Sequence, residues 1–373
     1  MAALRVHVVD PSAYTPPYDH ALCAALARAG ARPTLVTSRF AYGDVPAPEG
    51  YEVREAFYRS APGAAGSAVR RAAKLAEHVP DMLRYARASR GADVVHFQWL
   101  ALPQIDSYLL PPRTAGRPVR VLTVHEVRPH EPTAGQLWAQ RRLYDRFDAV
   151  VAHSEHGRAA LMGELGFAAE RVHVIPHGAL SHLAAGEVVP PPFESSLPVV
   201  LFAGLMRQYK GLDVLLEAWR GLDGAELWIA GMPRMDTAAL RATAPPGVRF
   251  DERFISDAEL RGYMRRADLL VLPYRKSDQS GIALTALAFG KPLLVSDVGG
   301  LSELVTAGAA RGVPPGDVGA LRGALSELLA DARTLEALGD GARKAAADRY
   351  GWDAIERQTL DLYRSLLGEN PAR

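Results

Sequence analysis

Residues 273–301 read PYRKSDQSGIALTALAFGKPLLVSDVGGL, and they decide the fold. The apolar run just before them, residues 268–272, has the make-up of a buried parallel strand. A polar loop follows over residues 275–280. Gly281 then opens a run of helix formers, residues 282–289, that stops at Gly290 with Pro292 just beyond. Asp278 and Ser280 both suit the N-cap of that helix. A second strand, residues 293–296, runs into Asp297-Val298-Gly299-Gly300. This is a βαβ unit. The start of its helix exposes unpaired N–H groups and partial positive charge, which can hold an anion, and Gly281 lets an anion come close. An ordinary βαβ unit with no ligand has the same pattern, so this stretch alone leaves both readings open.

The flanking sequence repeats the alternation. Residues 199–203 form a strand, followed by GLMRQYKG (204–211) and a helix from Leu212. Arg207 and Lys210, three apart between a strand and a helix, suit a diphosphate. Residues 227–230 are a strand, and residues 248–254 lead into a helix entered through the capping box Ser256-Asp257-Ala258-Glu259. Leu260, Tyr263 and Met264 give that helix its core face. Residues 320–329, 335–349 and 350–367 are further helices. The Pro-rich segment 186–198 reads as a linker. The expected division is a first domain of residues 1–190, a second of residues 191–351, and a last helix, 352–373, returning to the first.

The first half opens the same way. Residues 4–9 are a strand, residues 10–18 a loop, and a helix starts at Asp19 or His20 and ends near Gly30. Residues 34–37 are the next strand. In a doubly wound sheet ligands sit at the carboxyl ends of strands, so the loop before Asp19 is placed to line a site. It lacks GxGxxG, which argues against a dinucleotide. Strand 93–97 is followed by Gln98-Trp99-Leu100, and strand 119–124 by His125-Glu126. A histidine at a strand end is placed for chemistry, although a structural role fits the pattern equally well. Residues 148–152 and 172–175 complete the sheet. Residues 64–90 are helical and basic, with Arg70, Arg71, Lys74, Arg84, Arg87 and Arg90 against Glu77 and Asp81. They read as a solvated face, or as a contact for an anionic membrane surface or an anionic acceptor.

The chain has 373 residues, too many for one ordinary domain. Its 48% apolar and 23% charged residues are those of a globular protein, and a net charge of +1 argues against a specialist for nucleic acid. No stretch approaches the roughly 20 apolar residues of a membrane span. The start, MAALRVHVVD, has no signal-peptide pattern. Cys23, the one cysteine, reads as core packing. These features point to the cytoplasm. No metal-ligand cluster is visible.

Taken together, the motifs resemble the retaining, nucleotide-sugar-dependent glycosyltransferases of family 4, which have the GT-B fold. The resemblance spans the chain and is strongest over residues 199–304. It rests on LFAGLMRQYKGLDVLLEAW, LWIAG, RFISDAELRGYMRRADLLVLPY and QSGIALTALAFGKPLLVSDVGGLSE, and in the first half on DVVHFQWL, LTVHE, AVVAHSEHGRAAL and VHVIPHG. It implies an α/β architecture of two Rossmann-like doubly wound domains facing a central cleft. The donor would be a nucleoside-diphosphate sugar on the second domain. Arg207 and Lys210 would hold its diphosphate, with Gly204 and Ser280 beside them. Gly281, Ile282 and Ala283 would offer backbone N–H groups to the same anion. Phe254 and Ile255 would hold the base. His125 would lie near the reacting sugar, positioning and polarising. Tyr14, Tyr18, Asp19, Gln98, Trp99 and Glu126 would line the acceptor side. Fixed cations and a helix start stabilise a leaving diphosphate without a metal. The acceptor would be a small molecule, a glycan or a lipid-linked intermediate, the last with peripheral contact at the inner membrane face.

One departure stands out. The family often carries two glutamates around the central loop. Here aligning on Gly281 puts Asp278 at the first, and aligning on Gly290 puts Thr285 at the second. The departure leaves two alternatives to a transferase: a non-catalytic nucleotide-sugar-binding protein, and a sugar-nucleotide epimerase with Asp278 and Glu126 as its acid and base.

Overall fold

The computed structural model describes residues 3–40, 45–61, 67–100, 102–110, 118–127 and 135–368. The chain divides into two compact units: unit 1, Met1–His177 with Trp352–Arg373, and unit 2, Gly178–Gly351.

Unit 1 holds strands β1 (Arg5–Asp10), β2 (Arg32–Ser38), β3 (Glu52–Phe57), β4 (Val94–Phe97), β5 (Val119–Val124), β6 (Ala149–Ala152) and β7 (Val172–Val174). They form one parallel sheet in the order β3-β2-β1-β4-β5-β6-β7. Between them run α1 (Pro16–Arg28), α2 (Ala68–Ala88), α3 (Pro103–Leu109), α4 (Gln136–Tyr144) and α5 (Glu155–Leu165). Successive strand residues face opposite sides. Val94, Val121 and Val151 therefore pack with Tyr18, Leu22 and Leu26 of α1. Val95, Leu122 and Val150 pack on the other side with Met82 and Tyr85 of α2.

Several local expectations need correction. Helix α1 begins at Pro16, before Asp19, because proline at the first helical position loses no hydrogen bond there. Strand β3 and helices α3 and α4 escape the sequence reading. β3 is the sheet edge and exposes its first four residues, so it has no apolar run.

Unit 2 holds β8 (Val199–Ala203), β9 (Glu226–Ala230), β10 (Val248–Asp251), β11 (Leu269–Leu272), β12 (Leu293–Ser296) and β13 (Ala310–Val313), with helices α6 (Leu212–Trp219), α7 (Ala238–Ala242), α8 (Asp257–Arg266), α9 (Gly281–Ala288), α10 (Ser302–Thr306), α11 (Val318–Ala330) and α12 (Ala332–Ala347). Its parallel sheet runs β10-β9-β8-β11-β12-β13. The capping box at Ser256 forms, with Glu259 returning to the Ser256 N–H at 2.8 Å.

The last helix, α13 (Trp352–Leu366), belongs to unit 1, where it buries Ile355, Leu360, Leu362 and Tyr363. The division falls after His177 rather than at residue 190. The Ala179 N–H donates to the Tyr350 carbonyl at 2.8 Å and the Val189 N–H to the Ala258 carbonyl at 3.0 Å. Arg261 donates to the carbonyls of Leu183 and Glu187. Residues 178–189 are thus tied to unit 2, and the Pro-rich stretch is not a free linker.

In each sheet the strand order reverses once, between β1 and β4 in unit 1 and between β8 and β11 in unit 2. The loops leaving those strands flank a switch point, where open α/β sheets bind ligands.

Candidate active site

In unit 2 the loop after β8 is shaped by glycine. Gly204 has φ +105°, and a Cβ there would stand 3.1 Å from Ile282 Cγ1 and 3.4 Å from Lys210 Nζ. The loop therefore gathers Gly204, Lys210 and the first turn of α9. Lys210 Nζ lies 5.0 Å from the ring centroid of the buried Tyr274. Among the described residues neither Arg207 nor Lys210 has a carboxylate partner, whereas the nearby Arg275 is held by Asp213 at 2.6 Å. A second close approach fixes the loop. Gly211, φ +68°, would place a Cβ 2.0 Å from the Pro273 carbonyl oxygen, and the Arg275 N–H donates to the Tyr209 carbonyl at 2.7 Å.

Helix α9 starts at the same place. Ser280, not Asp278, is its N-cap and accepts from the Ala283 N–H at 3.4 Å. The Ala283 N–H is thus engaged by the protein. The N–H groups of Gly281 and Ile282 have no partner among the described residues, and nothing lies within 4 Å of a Cβ built on Gly281. Open N–H groups at a helix start beside an ammonium that has no carboxylate partner among the described residues can take an anion. Asp278 is half-buried two residues before the cap. Thr285 is buried, and its hydroxyl donates to the Gly281 carbonyl at 2.9 Å, inside its own helix. It offers no outward hydroxyl. Phe254, 59% exposed, and Ile255, packed on the core, follow β10, at the far edge of the sheet from β13.

In unit 1 a cavity of about 250 Å³ opens at the carboxyl ends of β1, β4 and β5, lined among others by Ser12, Tyr14, Gln98, Trp99, His125 and Glu126. Trp99 stacks flat on His125, 4.9 Å between centroids and 7° between planes, and Tyr14, 65% exposed, lies 4.3 Å from Trp99. The Trp99 Nε1–H donates to Thr15 Oγ1 at 3.0 Å. The result is an aromatic ledge along the cavity wall.

Hydrogen-bond logic fixes the histidines. His153 Nδ1 is 2.9 Å from the Ile175 carbonyl and must donate to it. Neutral His153 then presents a lone pair at Nε2, and His125 Nδ1, 3.1 Å away, must donate. This leaves a lone pair at His125 Nε2, which faces the Gln98 side chain at 3.3 Å. The Gln98 amide must turn its NH₂ to that lone pair, which also supplies the partner its buried nitrogen otherwise lacks. Burial, with the nearby His153 and His177, pushes His125 well below the usual imidazole range. Burial holds His153 down to about 4 and His96 to about 3. Both ring nitrogens of His125 are therefore engaged within unit 1. In this arrangement it packs on Trp99 and holds Gln98.

Tyr18 and Asp19 do not line this cavity. Both are buried on α1, with Tyr18 edge-on to His125 at 5.1 Å. Burial, then the neighbouring Asp10, raises Asp19 well above the usual carboxylate range. It stays protonated and bonds to Asp10, which accepts the N–H groups of Ser12, Tyr14 and Thr15. The pair shapes the loop that carries Tyr14. The sequence reading did not single out Tyr274 or His153, while Ser12 lies in the loop it placed at the site. His153 could have been found, because it follows β6 as His125 follows β5. Among the described residues no group of three or more His, Cys, Asp or Glu side chains is placed to hold a metal ion.

Two family models match the chain. One described as "Glycosyl transferase 4-like domain" matches residues 16–178, and one described as "Glycosyl transferases group 1" matches residues 197–331. The D-inositol 3-phosphate glycosyltransferase of Xylanimonas cellulosilytica is 30% identical over 263 residues, 64% of this chain and 62% of that protein. The MMP alpha-(1->4)-mannosyltransferase of Mycolicibacterium hassiacum is 25% identical over 243 residues, 62% and 58% of the two chains. The chain thus spans about three fifths of the length of these curated relatives. Among solved structures, sucrose-phosphate synthase from Thermosynechococcus elongatus superposes with a TM-score of 0.75 at 21% identity, covering 98% of this chain and 99% of that one. Anabaena HepE in complex with UDP-glucose gives 0.69 at 16%, covering 97% and 100%.

Proposed function

We infer the reaction from the family: this chain belongs to the family 4 glycosyltransferases with the GT-B fold. It transfers a hexose-type sugar from a nucleoside-diphosphate sugar to a hydroxyl acceptor, with retention of configuration. The observation that carries this reading is the convergence of unpaired Lys210, the loop of Arg207, and the open N–H groups of Gly281 and Ile282. Breaking the bond between sugar and diphosphate moves negative charge onto the diphosphate. Fixed cations and a helix start stabilise that charge as it forms, so the reaction proceeds without a metal. The acceptor hydroxyl attacks the anomeric carbon from the face the diphosphate leaves, and its proton passes to the departing phosphate oxygen. No protein base is then needed, in keeping with a His125 whose nitrogens are both engaged. Phe254 stacks on the base. Asp278 stands toward the donor sugar. Tyr14 and Trp99 receive the acceptor, with Glu126 at the rim.

The relatives' names bring an inositol phosphate and a mannosyl transfer to mind as acceptor and donor classes. A lipid-linked acceptor is favoured by α2, which exposes Val69, Leu75 and Leu83 alongside Arg71, Arg84 and Arg87. Arg70 and Lys74 turn inward instead, with Lys74 Nζ 4.9 Å from the Tyr58 ring centroid. Among the described residues no helix is long and apolar enough to cross a membrane. A cytoplasmic enzyme with peripheral contact at the inner face fits this reading.

The test is a thermal-shift panel of nucleoside diphosphates, with and without magnesium, followed by donor hydrolysis assays. One strong, metal-independent stabiliser whose sugar is slowly hydrolysed is the expected result. Binding with no turnover on any acceptor would favour a non-catalytic protein. Conversion of the donor to its epimer without acceptor would favour an epimerase.

A further inference from the structure

We propose that a second hollow on unit 1 binds a phosphoryl group carried by the acceptor. The word acceptor rests on the transferase reading above; the anion site itself does not. The hollow encloses about 610 Å³ and is lined by Arg39, Arg54, Arg59 and Arg70 with Phe57 and Tyr58. Arg39 follows β2, Arg54 lies on β3, Arg59 follows β3, and Arg70 is in the first turn of α2. Four arginines from four places in the sequence thus meet at one edge of the sheet.

Elsewhere in the chain arginines are commonly paired, as in Arg5–Asp93, Arg171–Asp145, Arg241–Glu252 and Arg349–Glu303. Among the described residues none of the four in the hollow has a carboxylate partner. One acid, Glu55, shares the lining, and Glu77 is engaged near it by the Ser60 N–H at 3.2 Å. Two of the guanidiniums are held by backbone: Arg59 Nε donates to the Glu55 carbonyl at 2.6 Å and Arg70 to the Ala61 carbonyl at 2.8 Å. Gathering like charges costs free energy unless an anion joins them. The planar guanidinium fork matches a phosphate in charge and geometry.

Tyr58 links this hollow to the His125 cavity. It lines the hollow, its hydroxyl bonds to His78 Nδ1 at 2.7 Å, and it also meets the Ser12 side chain. Ser12 lines the His125 cavity. Tyr58 holds φ +52°, a conformation that is an outlier for a bulky residue and tends to mark functional sites. Its N–H donates to the buried Asp81 at 2.7 Å, which keeps it there. An acceptor that presents a hydroxyl beside Trp99 and a phosphoryl group beyond Tyr58 would occupy both spaces.

The probe is inorganic phosphate, titrated into the full chain and into Arg39→Gln/Arg54→Gln and Arg207→Gln/Lys210→Gln variants. The first variant should bind phosphate about tenfold more weakly per arginine removed, or roughly a hundredfold in all, while the second keeps hollow binding. The single Arg39→Gln variant serves if the double variant does not fold. Phosphate binding that is absent in the wild type, or unchanged in the first variant, overturns the proposal. Vesicles of phosphatidylcholine with phosphatidic acid separate the sources. Recruitment that depends on Arg39 and Arg54 assigns a lipid headgroup; phosphate binding without recruitment assigns a soluble phosphorylated acceptor. Stabilisation by uridine diphosphate reads unit 2 separately. Its loss with phosphate binding intact would sink the donor reading and leave this site standing.

Discussion

Replacing Lys210 with alanine should cost donor affinity far more than stability, and the structure sets both magnitudes. Lys210 makes no ion pair among the described residues; its ammonium contact is with the Tyr274 ring, at 5.0 Å. A cation–ring contact at a partly exposed site contributes about 0.5–1 kcal/mol, so the variant should lose no more than that in unfolding free energy. A charge-assisted hydrogen bond to phosphate contributes about 1.5–3 kcal/mol, which is roughly 10- to 150-fold in Kd. The assay is calorimetric titration of the stabilising nucleoside diphosphate into wild type and Lys210→Ala, with urea unfolding of both as the stability control. The nucleoside monophosphate is a second control, because a β-phosphate contact predicts a much smaller loss for it. Lys210→Arg should recover part of the binding. Diphosphate affinity within threefold of wild type would refute the placement of Lys210 on the donor. A stability loss of several kcal/mol would show instead that the lysine is a structural prop.

Gly211→Ala should fail to fold or lose most of its stability, because the new Cβ would meet the Pro273 carbonyl oxygen at 2.0 Å in a left-handed backbone; a melting temperature near wild type would contradict this. Unfolding free energy should fall as pH drops below about 6.5. His153 is held to about 4 and His96 to about 3 in the folded chain. The unfolded chain therefore binds more protons between those values and the ordinary imidazole range, at about 1.4 kcal/mol per pH unit for each histidine. The loss should level off below pH 4 for His153, and His153→Gln should flatten the slope; an unchanged slope would remove His153 from the account. Tyr14→Ala should raise the KM for acceptor and leave nucleotide binding and stability unaltered, since the ring is exposed and rests on Trp99. Equal loss of donor affinity would count against the ledge as an acceptor surface.

The sequence by itself determined the alternation of strands and helices, the parallel sheets and the glycine-bounded loops. Those features are local. An apolar run such as residues 269–272 must be buried on both faces, and a serine such as Ser256 followed by Glu259 closes a helix start through its own neighbours. The anion site proposed for unit 2 was named on the same ground, since Arg207, Lys210 and Gly281 stand at strand and helix ends whose positions in the sheet follow from order alone. What only the tertiary structure decided is contact between distant residues. No local pattern shows that Lys210 lies over Tyr274, that both nitrogens of His125 are taken, or that Tyr18 and Asp19 face the core. The edge strand β3 was silent because it is polar. With it went the arginine hollow, whose four cations come together only once β2, β3 and the start of α2 lie side by side.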